Sequence, residues 1–291
     1  MLWFVFALLT AIFASLRDLV SKRALQRIGD EYIITWSSRF LALPFFLPLL
    51  FYQFFEQPPT WDSALAGTIA VVLVLQVISN IFYFRAIKLS DLSITVPMIS
   101  FTPLFLLVTS PLIVGEYPGR WDIMGMLFIV GGSYILRIKN REQGYWAPIK
   151  ALFRENGPRF MLAVAVFWSF LSTLNKLGVE QSSPIFWAAL NSTVLATAMT
   201  PIMLYKSQAN LKLIPQNIVY LSAVGIFQGL TVLCFMQAVQ LTLVAQVVSV
   251  KRTSILFSAL FGHLFLREPG IQERMTGTTI MLVGVVVITL L

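Results

Sequence analysis

The sequence predicts an all-α polytopic membrane protein with ten transmembrane helices, arranged as two inverted repeats of five. Three features predict it: an apolar composition, ten apolar stretches near membrane-spanning length, and an internal duplication with an odd number of spans. Of the 291 residues, 57% are hydrophobic and 12% are charged, about half the charged share of an ordinary soluble domain. Too few polar side chains remain to cover a water-soluble globule, so we expect the chain to lie in a cell membrane.

Ten apolar stretches fall between charged clusters and turns. A helical span needs about 20 mainly apolar residues, and the stretches near this length are 2–21, 32–55, 64–84, 92–114, 121–136, 160–175, 184–205, 215–237, 243–266 and 275–291. Proline and glycine mark several of the breaks, at 57–59, 115–119 and 267–270, because neither residue continues a helix well. A β-barrel is disfavoured because its strands alternate apolar and polar residues, whereas residues 69–75 are continuously apolar.

Lysine and arginine are distributed unevenly between the two sides of the membrane. Fifteen of the 21 fall in the connections after spans 1, 3, 5, 7 and 9, which define the basic face of the protein. Only Arg120 and Lys176 fall on the opposite face. The positive-inside rule therefore predicts a cytoplasmic basic face, with both termini outside. The same rule accounts for the six cations between Arg137 and Arg159, and we predict no nucleic-acid partner.

Composition also narrows the kinds of site that the chain can hold. The single Cys234 excludes an intramolecular disulfide and a multi-cysteine metal centre, and the single His263 excludes a pair of histidine ligands. The chain has no phosphate-binding loop, metalloprotease motif or nucleophile elbow. We therefore predict a protein that is not an enzyme and uses no metal or cofactor. Its expected partners are the lipid bilayer and a small-molecule substrate, and no oligomeric state is predicted.

The chain repeats itself at a spacing of about 152 residues. The matches include polar residues that chance apolar similarity does not readily supply, namely Gln76 with Gln228 and Glu116 with Glu268. The predicted first repeat, basic connecting loop and second repeat occupy residues 1–138, 139–158 and 159–291. Because each repeat has an odd number of spans, the second enters the bilayer from the opposite side. Inverted repeats of this kind can close either end of a central cavity in turn.

Two long segments carry the duplication most clearly. They run from Ala86 to Glu116 and from Ala238 to Glu268, and a helix with repeated glycines follows each of them. Across essentially its whole length the chain resembles the drug/metabolite transporter superfamily, in its ten-helix form with two EamA-type domains. The resemblance implies a secondary carrier that hydrolyses no ATP and has a central site between the halves. It also implies cytoplasmic termini, which disagrees with the charge distribution.

Two adjacent cations, Lys251 and Arg252, fall about 12 Å deep in predicted span 9. A charge at the centre of a membrane helix costs about 2.5 to 3.5 kcal/mol on insertion scales, so these residues need a partner, a wet cavity or a substrate. Their counterparts in the first repeat, Ile99 and Ser100, are uncharged. The string SVKRTSILFS resembles the ninth-helix segment of plastid phosphate translocators, in which two cations bind phosphate. This resemblance implies anion binding; a structural or counter-ion role is the alternative.

A polar stripe follows predicted span 3 and is partly repeated on span 8. Gln76, Asn80 and Tyr83 are spaced i, i+4 and i+7, which places them on one side of a helix. Gln228 and Thr231 occupy the corresponding side of span 8. Because the duplication sets the two glutamines symmetrically, we predict that these five residues line a substrate cavity. Hydrogen bonding between helices is the alternative.

Further charged residues fall inside the spans or directly after them. Arg17 and Asp18 lie near the end of span 1, and Arg39 lies seven residues into span 2. We predict a role in coupling or gating for these three. For Asp18 the alternative is that it only neutralises one of the arginines, and for Arg39 the alternatives are helix packing and contact with the ligand. Glu116 and Glu268 each follow an apolar helix at a turn. We predict that each caps the helix that comes next, where a carboxylate meets the positive helix end.

Together these features predict a secondary transporter of a small organic solute that works by alternating access through a central cavity. The cations within the spans favour an anionic solute, either phosphorylated or carboxylated. An amino-acid exporter or a drug and metabolite exporter of the same fold is the alternative. A non-transporting membrane protein is a remote alternative because it would leave the inverted duplication without a purpose.

Overall fold

The fold consists of apolar helices. A computed structural model describes residues 1–56, 62–90, 95–137, 146–266 and 275–290, and regular structure within these ranges is entirely helical. Seven helices there are long and apolar enough to cross a membrane, and a shorter apolar helix runs from Thr276 to Leu290. The prediction of an all-α multi-pass membrane protein is confirmed, while the count of ten spans stays a prediction.

The first half of the chain begins with a long helix and ends with a glycine-containing one. Its helices are α1 (Leu2–Ile28), α2 (Glu31–Phe40), α3 (Leu43–Glu56), α4 (Ser63–Leu89), a 3-10 helix (Val96–Phe101), α5 (Thr102–Val114) and α6 (Arg120–Arg137). Several of these helices extend beyond the apolar stretches that predicted them, since polar residues continue the helical turns past the expected ends.

The second half follows the same order after a short connecting helix. Its helices are α7 (Ala147–Arg154), α8 (Asn156–Gln181), α9 (Pro184–Lys206), a 3-10 turn (Gln208–Asn210), α10 (Leu213–Gln216), α11 (Ile218–Leu241), α12 (Val244–Lys251), α13 (Ser254–Leu266) and α14 (Met275–Leu290). Helix α7 occupies part of the predicted connecting loop, whose residues 139–145 lie outside the described ranges.

Two predicted spans are broken near their middle. Span 2 is interrupted between Phe40 and Leu43, because the ring of Pro44 would clash with the Phe40 carbonyl if one helix ran through both. Span 9 is interrupted between Lys251 and Ser254. The sequence predicts one continuous helix through Lys251. In the structure, Lys251 is instead the last residue of a short helix.

The two halves are inverted relative to each other. Helices α6 and α14 close their respective halves and pack together in opposite directions, with Gly125 beside Gly284 and Gly132 beside Gly277. The other contacts are reciprocal: α1 lies against α11 as α4 lies against α8, and α1 lies against α13 as α8 lies against α5. This arrangement is the one that the duplication predicted.

Glycine permits the close approach of α6 and α14. A Cβ atom on Gly132 would lie 2.6 Å from the Gly277 carbonyl oxygen, and one on Gly125 would lie 2.7 Å from the Gly284 carbonyl oxygen. Such distances are shorter than atomic contact allows, so any side chain would push the helices apart. These glycines therefore allow the backbones of the two helices to pack closely.

Asp30 joins the two halves at the basic face. Its carboxylate caps α2 by accepting hydrogen bonds from the backbone N–H groups of Tyr32 (3.0 Å) and Ile33 (3.3 Å). It also accepts from Ser207 Oγ at 2.9 Å and from Asn210 Nδ2 at 2.8 Å, in the connection that follows α9. Burial alone would raise the pKa of Asp30, but these hydrogen bonds stabilise the carboxylate and its pKa lies below the ordinary value of 3.8.

The glycine contact predicts a position-specific loss of stability. Gly132→Ala should lower the free energy of unfolding by about 1–3 kcal/mol, because the added methyl overpacks the α6–α14 contact. Gly131→Ala is the matched control, since a Cβ atom there meets nothing within 4 Å. Thermal unfolding in detergent micelles measures both variants, and equal melting temperatures would contradict the proposed contact.

The lowered pKa of Asp30 predicts that its contribution to stability depends on pH. A carboxyl group whose pKa is lower in the folded state stabilises that state above its unfolded pKa, and loses this effect as the pH falls through the folded value. The difference in melting temperature between the wild type and Asp30→Asn should therefore shrink as the pH falls from about 7 to below about 3.8. Glu31→Gln removes a neighbouring exposed carboxylate and should leave this pH dependence unchanged.

Candidate functional site

A polar cavity of about 310 Å³ lies between helices of both halves. Helices α1, α2, α4, α9 and α11 contribute its walls, and its polar lining includes Arg17, Asp18, Arg39, Gln76, Asn80 and Gln228. On α1 and α9 the lining residues come from the part of the helix nearer its carboxyl end, which meets the basic face. The cavity therefore lies between the middle of the bundle and the basic face.

The cavity brings together residues that are far apart in sequence. Six of the ten residues singled out from the sequence line it, and these are the six polar residues just given. Two others lie in helix contacts outside its lining. The Tyr83 ring stacks on Trp168 of α8 with the ring centroids 6.2 Å apart, and the buried Thr231 hydroxyl donates to the Phe227 carbonyl at 2.7 Å.

Arg17 connects α1 to α11 across the cavity. Its Nε and Nη2 atoms donate to Asp18 Oδ1 at 3.0 and 2.5 Å, and its Nη1 atom donates to Gln228 Oε1 at 2.7 Å. Gln228 is 5% exposed, so its amide is a fixed acceptor that holds one edge of the guanidinium. The Asp18 side chain is 53% exposed and faces the cavity. The Arg17 charge thus already has a counter-ion within the protein.

Arg39 is a second cation in the cavity wall, and it is placed differently. It lies in the last turn of α2, immediately before the break at Leu41. Among the described residues, no carboxylate lies within 4 Å of its guanidinium and no hydrogen bond satisfies it. The positive charge of Arg17 lies close enough to act on it electrostatically. Arg39 therefore gives the cavity a positive charge without a counter-ion in this part of the chain.

Lys251 is the last residue of α12, and neither it nor Arg252 lines the cavity. Its ammonium nitrogen is 4.5 Å from the centroid of the Phe235 ring, a favourable cation–π distance. The charges of Arg17, Arg39 and Asp18 all act on it electrostatically. The break after Lys251 also lets the negative end of the α12 dipole stabilise its charge. Arg252 follows in the break and has interactions of its own.

Glu116 lies at the face opposite the basic face. Its contacts show that the predicted capping of α6 by Glu116 is wrong. It does not cap α6, where the Gly119 N–H donates to Asp122 at 2.9 Å. The Glu116 carboxylate instead accepts from the N–H of Val244 at 2.9 Å and so caps α12 in the other half. The prediction failed because a helix end in the other half lies closer to this carboxylate than the next turn of its own half. Glu268, its counterpart, lies outside the described residues.

Lys176 completes this contact between the halves. Its ammonium forms an ion pair with Glu116 and donates to the Thr242 carbonyl at 2.8 Å, and Ser110 Oγ donates to Glu116 at 2.8 Å. Both charged side chains are 10% exposed. No role for Lys176 follows from its neighbours in the sequence, although its place as one of two cations on the sparsely charged face is a signal that it needs a partner. The two halves are thus held together at the face away from the cavity.

The buried ion pair predicts unequal effects for two neighbouring carboxylates. Glu116→Gln should destabilise the protein by about 3–5 kcal/mol, because it leaves the Lys176 ammonium without a buried counter-ion. Glu180→Gln is the matched control: Glu180 lies 4.0 Å from the same ammonium but is 48% exposed, so its removal should cost at most about 1 kcal/mol. Equal melting temperatures for the two variants would refute the special role of Glu116.

The chain matches the model of a known protein family and shares its fold with a solved structure. The model of the EamA-like transporter family matches residues 1–138 and 156–290. A solved structure described only as a crystal structure of protein aligns with a TM-score of 0.75, covering 99% of this chain and 96% of that one. At 14% sequence identity, this likeness shows the shared fold alone.

Two curated relatives are each described as an uncharacterized transporter. One, from Archaeoglobus fulgidus, is 23% identical over 249 residues, which cover 86% of this chain and 84% of the relative. The other, from Methanothermobacter thermautotrophicus, is 28% identical over 188 residues, which cover 64% of this chain and 53% of the relative. Because the family match extends over both halves of the inverted fold, the chain belongs to the EamA-like transporter family.

Proposed function

We propose that this transporter carries a small organic anion, phosphorylated or carboxylated, which binds in the cavity between the two halves. The observation that carries the proposal is the charge of the cavity wall. Among the residues that the structure describes, Arg17 and Arg39 line this space together with one carboxylate, Asp18. Because Asp18 neutralises Arg17, the wall keeps a net positive charge. An arginine fork suits carboxylate and phosphate oxygens geometrically as well as electrostatically.

The inverted fold supports alternating access as the transport mechanism. The cavity lies nearer the basic face, while the buried Glu116–Lys176 pair joins the halves at the opposite face. Two inverted halves can exchange these roles by moving against each other around a central site. In this proposal the described conformation exposes the site towards the basic face, and separation of Glu116 from Val244 and Lys176 opens the other side.

Counterflow in proteoliposomes tests the anion proposal. Purified protein is reconstituted, loaded with a candidate organic anion and supplied outside with the radiolabelled anion. Arg39→Gln should reduce saturable counterflow by at least about tenfold, the order expected for losing a hydrogen bond to a charged group. Lys206→Gln removes an exposed cation at the basic face and should leave counterflow unchanged. Full anion counterflow in a folded Arg39→Gln protein would refute the proposal.

Asp18 favours a zwitterionic amino acid as a second candidate substrate. Its half-exposed carboxylate could hold a substrate ammonium group while Arg39 holds the substrate carboxylate, since both line the same cavity. Asp18→Asn separates the two candidates. The variant should abolish amino-acid counterflow if the substrate is a zwitterion, whereas counterflow of a pure anion should persist because the cavity becomes more positive.

A further inference from the structure

We infer that the substrate carries two anionic groups at separate ends of the molecule, one bound at Arg39 and the other at Lys251. The inference rests on the proposed function and narrows its substrate class to dicarboxylates and molecules of similar charge distribution. Two observations carry it. In the described part of the chain, Arg39 and Lys251 both lack a counter-ion, and the α11 residues that contact Arg17 and Lys251 lie at different depths.

The charge count identifies two cations for the substrate. Arg17 is paired with Asp18 at 2.5 Å and needs no further anion. Arg39 and Lys251 are each partly buried, and in the described part of the chain neither has a carboxylate within 4 Å or a hydrogen bond. Arg252 has other interactions and is left out of the count. A substrate with two negative charges would compensate both remaining cations, whereas a monoanion would leave one uncompensated in a low-dielectric environment.

The positions of these cations favour a substrate whose two anionic groups are separated from each other. Gln228 and Phe235 are seven residues apart on α11, so they lie on the same side of the helix, about 10 Å apart along its axis. Arg17 is bonded to Gln228 and Lys251 lies over Phe235, which places Arg17 and Lys251 at different depths. Arg39 lines the same cavity as Arg17 and Gln228, at the Gln228 end of this separation.

The cations at these two depths also act on one another electrostatically. Lys251 lies outside the cavity lining, but the charges of Arg17 and Arg39 both act on its ammonium. A ligand that extends from the cavity towards the Phe235 ring would therefore reach both Arg39 and Lys251. A monocarboxylate carries its negative charge at one end of the molecule, so it would neutralise only one of the two cations. A dicarboxylate can place one group at Arg39 and the other at Lys251.

Matched probes test this inference in proteoliposomes. Succinate and succinamate have the same carbon chain and differ in that one carboxylate is replaced by a neutral amide. Counterflow of succinate should show a half-saturating concentration at least about tenfold lower than that of succinamate. Lys251→Met should remove most of this preference by weakening succinate alone, and Lys251→Arg should preserve it. Lys206→Met, at an exposed cation of the basic face, should leave it unchanged.

The outcomes separate this inference from the proposed function. If the wild-type protein exchanges no anion, the proposed function is wrong and the inference falls with it. If succinate and succinamate exchange equally, or Lys251→Met weakens both equally, the inference is wrong while anion transport stands.

If Lys251→Met does not fold, a series of anions tested on the wild-type protein still tests the inference. Oxalate, succinate and adipate increase the distance between the carboxylates, and inorganic phosphate holds its charges on one centre. Preference for the longer dicarboxylates over oxalate and phosphate supports the inference, and the reverse order refutes it.

Discussion

The cost of placing positive charge inside a membrane governs this structure. Hydrocarbon offers no water to a guanidinium or an ammonium group, so such a group needs an anion, an aromatic face or a wet cavity. Each of these solutions occurs here: Arg17 pairs with Asp18, Lys251 lies over the Phe235 ring, and Arg39 borders the cavity. The helices that enclose these side chains must therefore leave a polar space, which lies between the middle of the bundle and the basic face.

The two halves share a frame but not their charges. Reciprocal helix contacts and the glycine pairs of α6 and α14 repeat across the pseudo-symmetry axis, whereas the cations Arg39 and Lys251 do not. The counterpart of Arg39 is Asn191 at the same repeat offset, and its Nδ2 atom donates to Asn175 Oδ1 at 3.0 Å in a contact between α8 and α9. The counterpart of Lys251 is the buried Ile99. The helical frame is thus nearly symmetric, and the departures from symmetry give one cavity its charge.

The faces of the bundle are held by different contacts. At the basic face, Asp30 uses neutral hydrogen-bond donors to join α2 to the connection after α9. At the opposite face, Glu116 brings together an ammonium group, a hydroxyl and the amino end of α12. Both carboxylates bond to residues of the other half. Relative movement of the halves must rearrange these contacts, which connects the chemistry of the faces to access to the cavity.

The sequence by itself determined the helical membrane fold, the inverted duplication and the identity of the charges that need compensation. These properties follow from single residues or from sums along a segment: apolar length predicts a span, and a constant offset between Gln76 and Gln228 predicts a repeat. Only the tertiary structure decided which charges meet. Glu116 and Lys176 are 60 residues apart, and their contact depends on the depth and rotation of α8 against α5 and α12. Packing of the complete bundle fixes those two quantities, and no local pattern encodes them.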